Sequence, residues 1–515
     1  IMDFFPETEI KNLEQENKSG LIDINLDIKA NTSGKYEFEY FVYHKGEKIA
    51  YEREIENLIA AEQNLKKQLN LENIDLWWPS GKGEQPLYQV KVKISNYEGE
   101  KCDSIQKKIG FRQIKFKSNP DAASNARPYT LEVNGKRVFM RGVNWVPISP
   151  FYGDVSREEY RNYLSRFKKM NCNLLRVWGG AILEKNDFYE ICDELGLMVW
   201  QEFPQSSSGL NNTPPDDPEL LNELEKVARI YIKRKRHHAS HIIWSGGNEL
   251  MWENSDPINE NHINIKMLKE LVEEMDPGKY FLPSSSSGPK FQATEEDFGK
   301  GIHHDVHGPW QYMGNPDHYQ FFNKDDSLLR SETGCPGISR METLKKYKEN
   351  YNLWPPDNSN PYWNHRGSWW IQLEKLTQLC GKWDSEGKEL NQYIKISRWL
   401  QAEALRYEIE ATRRREPTTS GFIIWMGNEP FPNNANTSVI EYDGTPKPAY
   451  YWVKEAYSSL HISAKYKRIN YKPGDTFEAD IFLNSDSEKE EKYTAEIKLL
   501  NIQGEVIKNK VVKLN

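Results

Sequence analysis

Ile242-Ile243-Trp244-Ser245-Gly246-Gly247-Asn248-Glu249 is a short apolar run that breaks into two glycines and ends on a carboxylate. A run of this length suits a strand buried on both faces, and the glycine pair allows a tight turn that projects Asn248 and Glu249. The same pattern returns at Leu328-Leu329-Arg330-Ser331-Glu332-Thr333-Gly334. From about residue 128 onward the sequence offers eight such strands, at 138–143, 174–177, 197–200, 242–244, 280–282, 301–303, 328–330 and 421–425. Helical stretches are legible at 156–170, 184–195, 218–238, 259–275 and 394–414. Short strands alternating with helices describe a parallel β/α architecture, and eight is the number that closes it into a (β/α)₈ TIM barrel.

The texture on either side is different. Leu21-Ile22-Asp23-Ile24-Asn25-Leu26-Asp27-Ile28 and Tyr36-Glu37-Phe38-Glu39-Tyr40-Phe41-Val42-Tyr43 alternate with period two, as half-buried strands must. A break at Ser118-Asn119-Pro120-Asp121 separates this region from the barrel. Alternation resumes in Thr476-Phe477-Glu478-Ala479-Asp480-Ile481 and Tyr493-Thr494-Ala495-Glu496-Ile497. The chain therefore reads as multidomain, a central barrel flanked by immunoglobulin-like β-sandwich domains. Residues 1–120 form the first sandwich, 121–460 the barrel, and 461–515 the start of a C-terminal β-sandwich module.

Composition narrows the partners. With 28% charged residues the protein reads as soluble, and no apolar run of about 18 residues is available to cross a bilayer. The opening Ile1-Met2-Asp3-Phe4-Phe5-Pro6 lacks the pattern of a signal peptide, which leaves the compartment open, a periplasmic or secreted site with the signal removed included. The 5 cysteines lie far apart without a CxxC pair, so free thiols are expected rather than a disulfide framework or a zinc site. A net charge of −8 argues against a nucleic-acid partner, and the basic run Lys233-Arg234-Lys235-Arg236-His237-His238 falls where cations suit a helix C-terminus. The 16 Trp exceed what a core needs; flat apolar platforms whose N–H still hydrogen-bonds are what sugar pockets use.

In a barrel, reactive groups stand just beyond the C-terminal ends of the strands. One carboxylate, Glu249, follows the fourth run and another, Glu332, follows the seventh, which sets them across a single mouth. Cleaving a glycosidic bond needs a protonated carboxyl for the leaving oxygen and a second carboxyl to attack or to activate water. Two facing glutamates supply both.

From Leu76 to Lys454 the sequence resembles glycoside hydrolase family 2, in particular its β-mannosidase and exo-β-glucosaminidase branches. The matching segments are Leu76-Trp77-Trp78-Pro79-Ser80-Gly81, Gly110-Phe111-Arg112, Arg141-Gly142-Val143-Asn144-Trp145, Leu175-Arg176-Val177-Trp178-Gly179-Gly180, Val199-Trp200-Gln201-Glu202-Phe203, Asn248-Glu249, Ser331-Glu332 and Lys447-Pro448-Ala449-Tyr450-Tyr451. The resemblance implies Glu249 as acid/base, Glu332 as nucleophile, Asn248 as the side chain bonding the sugar's 2-substituent, and Arg176 as the arginine that keeps the nucleophile ionised. It also implies that Trp178, Glu202, Trp310 and Trp425 line the pocket for the terminal sugar. Three features depart from the pattern. No segment matches the family's N-terminal sugar-binding-like domain, with its Trp-Asp-Trp. Gly427-Asn428-Glu429 stands where mannosidases read Leu-Asn-Asp, and Thr333 replaces the usual aromatic after the nucleophile, nearer the glucosaminidase branch.

His303-His304-Asp305-Val306-His307 is a rival constellation that suggests a metal. It lacks the i,i+4 helical pair of a zinc protease and falls where the sixth strand should end, so sugar contacts by His307 are expected, with no metal and no cofactor. The function expected is thus a retaining exo-β-glycosidase on terminal β-mannosides. β-Glucosaminides and β-galactosides are the alternatives within the family. A non-catalytic carbohydrate-binding protein on the same scaffold is the alternative outside it. A structural assembly of sandwiches leaves the Trp and Glu at the strand ends without a role.

Overall fold

Period-two burial builds the N-terminal layer. In the strand Gly20–Lys29 the buried side chains include Ile22, Ile24, Leu26 and Ile28, and in Gly34–His44 they are Phe38, Tyr40 and Val42. Those two faces meet to form one apolar core. Around it lie a three-stranded antiparallel sheet (Asp3–Ile10, Gly20–Lys29, Glu62–Leu71) and a four-stranded one (Glu47–Leu58, Gly34–His44, Tyr88–Asn96, Lys101–Ile109), an immunoglobulin-like sandwich. The computed structural model describes residues 1–364, 370–381, 389–487 and 492–514.

Eight parallel strands follow: Met140–Trp145, Leu174–Val177, Met198–Glu202, His241–Ser245, Tyr280–Leu282, Asp305–His307, Leu329–Thr333 and Gly421–Ile424. Numbered one to eight along the chain, they pair in the order five, four, three, two, one, eight, seven, six. The ring is completed where the segment after strand five meets strand six through single bridges, Gly288 to Asp305 and Gln292 to His307. The sequence reading holds for seven strands within a few residues at each end. The sixth lies four residues beyond the expected 301–303, because Gly299 and Gly301, with φ of 80° and 67°, still belong to the approaching turn.

The barrel floor is apolar. Met140, Leu174, Met198, Trp200, Ile243, Leu329 and Ile423 meet inside it and continue into Leu131, Val133 and Val138 of a small sheet that precedes the first strand. Alternate residues point outward, so Leu175, Val177, Val143, Phe422 and Ile424 pack instead with the surrounding helices. Those helices include Arg157–Lys169, Asn186–Leu195, Pro218–Lys235, Ile263–Met275 and Glu389–Arg413. The first carries a capping box in which Ser156 and Glu159 satisfy each other's backbone N–H. The basic run does close a helix, with Lys233, Arg234 and Lys235 in its last turn.

The sandwich is fastened to the barrel by two residues of the sequence motifs. Arg112 donates to the carbonyls of Ala239 at 2.7 Å and His238 at 3.2 Å, and the Trp77 indole donates to the carbonyl of Asp193 at 2.8 Å. After the barrel come two antiparallel hairpins, Leu460–Lys465 with Asp480–Ser485 and Tyr493–Leu500 with Val506–Leu514. Of the alternation expected over 476–481, only the last two residues are in a strand. The five cysteines are free, and among the described residues no helix is long and apolar enough to cross a membrane.

Candidate active site

Above the apolar floor the inward positions turn polar. Asn144, Arg176 and Glu202 end strands one, two and three in the same alternating series as Met140, Leu174, Met198 and Trp200 below them. Strand seven obeys a different rule at its end. Leu329 and Ser331 are the inward pair by period two, which would turn Glu332 outward. Register shifts occur on both sides of this strand, between Val306 and His307 on one neighbour and between Arg330 and Thr333 along its pairing with strand eight. An irregularity of this kind re-aims one side chain, and it lets Ser331 and Glu332 both face the mouth.

Arg176 is the hub. Its guanidinium donates to Glu332 Oε2 at 2.8 Å, to Glu202 Oε1 at 3.0 Å, to Asn248 Oδ1 at 2.5 Å and to Asn144 Oδ1. Fully buried, it has its pKa lowered by desolvation, but Glu202 and Glu332 outweigh that and raise it overall. The other oxygen of Glu332 accepts from the Trp310 indole at 2.8 Å. Glu202 Oε2 accepts from the Gly179 backbone at 2.7 Å. Burial pushes the Glu202 carboxyl up to about 7 and raises that of Glu332, with Arg176 opposing both shifts.

Glu249 stands on the loop after strand four with φ of 51°, a left-handed conformation uncommon for a residue with a side chain. Ser207 Oγ donates to its Oε2 at 2.9 Å, and His307 Nδ1 lies 2.9 Å from its Oε1. Its pKa is raised by burial, with Ser207 and Arg176 opposing. Burial takes His307 down to about 4, so the ring is neutral near pH 7. Oxygens of Glu249 and Glu332 and a nitrogen of His307 all come within 4.8 Å of one another. Both oxygens of Glu332 are engaged by N–H donors, one of them cationic, an environment that suits a fixed anion better than a ligand to a cation.

The residues named from sequence thus converge. Arg176, Glu202, Glu332, Asn248 and Trp310 form one hydrogen-bonded group, and the hydrogen-bonded pair of Glu249 and His307 adjoins it, with His307 Nδ1 3.8 Å from Glu332 Oε2. Trp178 and Trp425 are half-buried at the ends of strands two and eight, edge to face with ring centroids 5.5 Å apart. The His-rich segment does not converge: His303 pairs with Asp326 at 2.6 Å, His304 with the Gly301 carbonyl at 3.0 Å, and Asp305 accepts from Ser287, leaving only His307 in the site. Asn144, Ser207, Ser285 and Ser331 join the group without having been assigned a part. Alternation from Met140 marks Asn144 as inward; nothing in a serine-rich loop marks Ser285.

Comparison with known proteins agrees with this architecture. A model described as glycosyl hydrolases family 2 matches residues 1–112, and one described as glycosyl hydrolases family 2, TIM barrel domain, matches 126–295, together over half of the chain. The chain is 25% identical over 536 residues to beta-mannosidase B of Aspergillus fumigatus, covering 99% of this chain and 61% of that protein. Beta-mannosidase B of Emericella nidulans is also 25% identical, over 537 residues. The chain thus spans about three fifths of the length of the curated relatives it matches. The crystal structure of a beta-D-mannosidase from Dictyoglomus thermophilum superposes with a TM-score of 0.78 at 26% identity, over 100% of this chain and 61% of that one. An exo-chitosanase from Amycolatopsis orientalis shares the fold at 19% identity, with a TM-score of 0.73 over 99% of this chain and 57% of that one. Sandwich, barrel and sequence agree: the chain belongs to glycosyl hydrolase family 2.

Proposed function

We propose that the protein is a retaining exo-β-glycosidase that removes terminal β-mannosyl residues, with Glu332 as nucleophile and Glu249 as acid/base. In this reading residues 121–460 are the catalytic unit, 1–120 a supporting sandwich and 461–515 the start of another. The observation that carries it is the approach of the two carboxyls, oxygen to oxygen within 4.8 Å. Retaining enzymes hold their carboxyls about 5–5.5 Å apart, whereas inverting ones need about 6.5–9.5 Å to admit a water.

The environments divide the labour. Glu332 is bonded on both oxygens by Arg176 and Trp310, which stabilises the ionised form that attacks the anomeric carbon. Glu249 is half-buried and hydrogen-bonded to a hydroxyl and an imidazole, with no cation bonded to it, which favours the protonated form that delivers a proton to the leaving oxygen. With the glycosyl-enzyme formed, Glu249 takes a proton from water, which displaces Glu332 and restores the starting anomer.

Asn248 favours a hydroxyl at position 2 of the sugar. Its carbonyl oxygen is engaged by Arg176 at 2.5 Å, so what the amide offers a sugar is an N–H. A hydroxyl oxygen accepts that bond, and the ammonium of a glucosaminide does not. The names of the fungal relatives and of the Dictyoglomus enzyme support the same sugar.

A panel of aryl β-glycosides, followed by NMR of the first-formed anomer, tests the proposal. The mannoside should have the highest kcat/KM and release β-mannose. A higher value for the glucosaminide, galactoside, glucoside or glucuronide overturns the sugar, a first-formed α-anomer overturns the nucleophile, and no hydrolysis of any member leaves a carbohydrate-binding protein.

A further inference from the structure

His307 lies in a chain of contacts that leads away from the mouth. Its Nδ1 faces Glu249 Oε1 at 2.9 Å and its Nε2 faces Ser285 Oγ at 2.9 Å. Ser285 Oγ in turn donates to Ser331 Oγ at 2.9 Å. All but Glu249 are fully enclosed, and Ser285 also holds the backbone of Glu249, accepting its N–H at 2.6 Å.

A serine hydroxyl has one proton to give. The proton of Ser285 goes to Ser331, so Ser285 meets His307 as an acceptor and the imidazole hydrogen is on Nε2. A neutral ring protonated there presents the Nδ1 lone pair to Glu249. Against a carboxylate oxygen that contact is repulsive; against a carboxylic O–H it is a hydrogen bond. The remaining bond fits the same state, since Ser207 donates to Oε2 and leaves Oε1 to carry the proton.

We propose that Ser285 and Ser331 are positioning residues that hold His307 as its Nε2–H tautomer, so that the imidazole accepts the proton of Glu249 and keeps this residue an acid between turnovers. The same lone pair makes the Glu249 carboxylate a stronger base after it has given up its proton, which serves the second half of a double displacement. The inference rests on Glu249 being the acid/base. The charged groups facing His307 from the neighbouring strands are Glu332, whose Oε2 is 3.8 Å from Nδ1, with Arg176 and Asp305. Arg176 is bonded to that same Glu332 oxygen at 2.8 Å and offsets its charge at the ring.

The experiment uses the full chain labelled with ¹⁵N-histidine, in which protonated and bare ring nitrogens resonate in separate ranges; His307→Gln identifies the signals by difference. The native protein should show His307 with Nδ1 bare and Nε2 protonated near pH 7. In Ser331→Ala the hydroxyl of Ser285 loses its acceptor and turns to Nε2, so the ring should convert to the Nδ1–H form although the lost hydroxyl is bonded to Ser285 rather than to the ring. Ser285→Ala removes the acceptor itself and should act in the same direction. An Nδ1–H that donates to Glu249 stabilises its carboxylate. The basic limb of kcat/KM should therefore move to lower pH by about one unit or more in both variants. A native ring protonated on Nδ1, or two folded variants with unmoved tautomer and unmoved limb, overturns the proposal. Native protein that hydrolyses no glycoside yet shows the tautomer and its response to Ser331→Ala overturns the glycosidase reading while supporting the tautomer lock.

Discussion

Arg176→Ala removes a cation that two buried carboxyls share. The guanidinium lies 2.8 Å from Glu332 and 2.9 Å from Glu202, with side chains 0% to 6% exposed. At such contact, unit charges roughly 4 Å apart in an effective dielectric of about 20 interact by about 4 kcal/mol, a ceiling of about 3 pKa units. Opposite charges in proteins deliver about 1–3 units. Glu332 is already raised by burial, so losing the cation raises it further, and the acidic limb of kcat/KM should move up by about 1–3 units. Stability follows the same sign. A carboxyl whose folded pKa lies above its unfolded value contributes stability below the unfolded value and loses it as pH rises through the folded one. Both Glu202 and Glu332 are such groups in the native protein too, Glu202 at about 7, and both rise further in the variant, so its deficit should open as pH climbs through the native values and grow toward pH 8 and above. Breaking a buried pair by removing one partner costs about 3–5 kcal/mol. Rate profiles on the aryl mannoside and thermal melts across that pH range read both effects. A folded variant with an unmoved acidic limb, and a melting deficit independent of pH, would show that Arg176 does not set the ionisation of Glu332.

Glu332→Ala should abolish turnover, while Glu249→Ala should still glycosylate with a phenol that leaves unprotonated and then stall. Azide should rescue both with opposite anomers, and identical anomers contradict the assignment of roles. Trp310→Phe deletes the N–H on Glu332 Oε1, a bond to a charged group of about 1.5–3 kcal/mol. A loss of about tenfold or more in kcat/KM is expected, and an unchanged value would mean that the indole does not hold the nucleophile.

Most of the barrel is legible in the sequence because strands buried on both faces must be short apolar runs, and Leu174–Val177 and Tyr280–Leu282 come out at their observed limits. The sixth strand escapes because Asp305–His307 contains a single apolar residue, while the nearby Ile302 draws the eye to a turn. Strand ends also locate the two glutamates. What the pattern does not contain is orientation: by period two Glu332 points away from the mouth, and it is the register shift beside it that brings it in. Ser285 is hidden for a further reason. Its part comes from a loop laid against the fourth strand's end, a contact between residues far apart in the chain with no local signature.

The two glutamates are held by opposite devices, and the difference suits the tasks proposed for them. Glu332 sits inside a strand, with its backbone carbonyl bonded by the Gly308 N–H at 2.7 Å and its carboxylate clamped by a cation, so its oxygens are fixed. Glu249 sits on a loop in a conformation that costs about 1–3 kcal/mol. That conformation is sustained from both sides. A side chain at Gly246 would lie 2.3 Å from the Pro283 carbonyl oxygen and one at Gly247 would lie 2.6 Å from that of Gln205, so only glycines let this loop press between its neighbours. Pressed there, Asn248 donates its backbone N–H to Gln205 at 3.0 Å, Glu249 to Ser285 at 2.6 Å, and Leu250 to Ser284 Oγ at 2.9 Å. The nucleophile needs a charge stabilised in one place. The proposed acid needs a carboxyl not bonded to a cation yet within reach of the leaving oxygen, and a strained turn pinned between the loops after strands three and five supplies that where a strand end bonded to Arg176 would not.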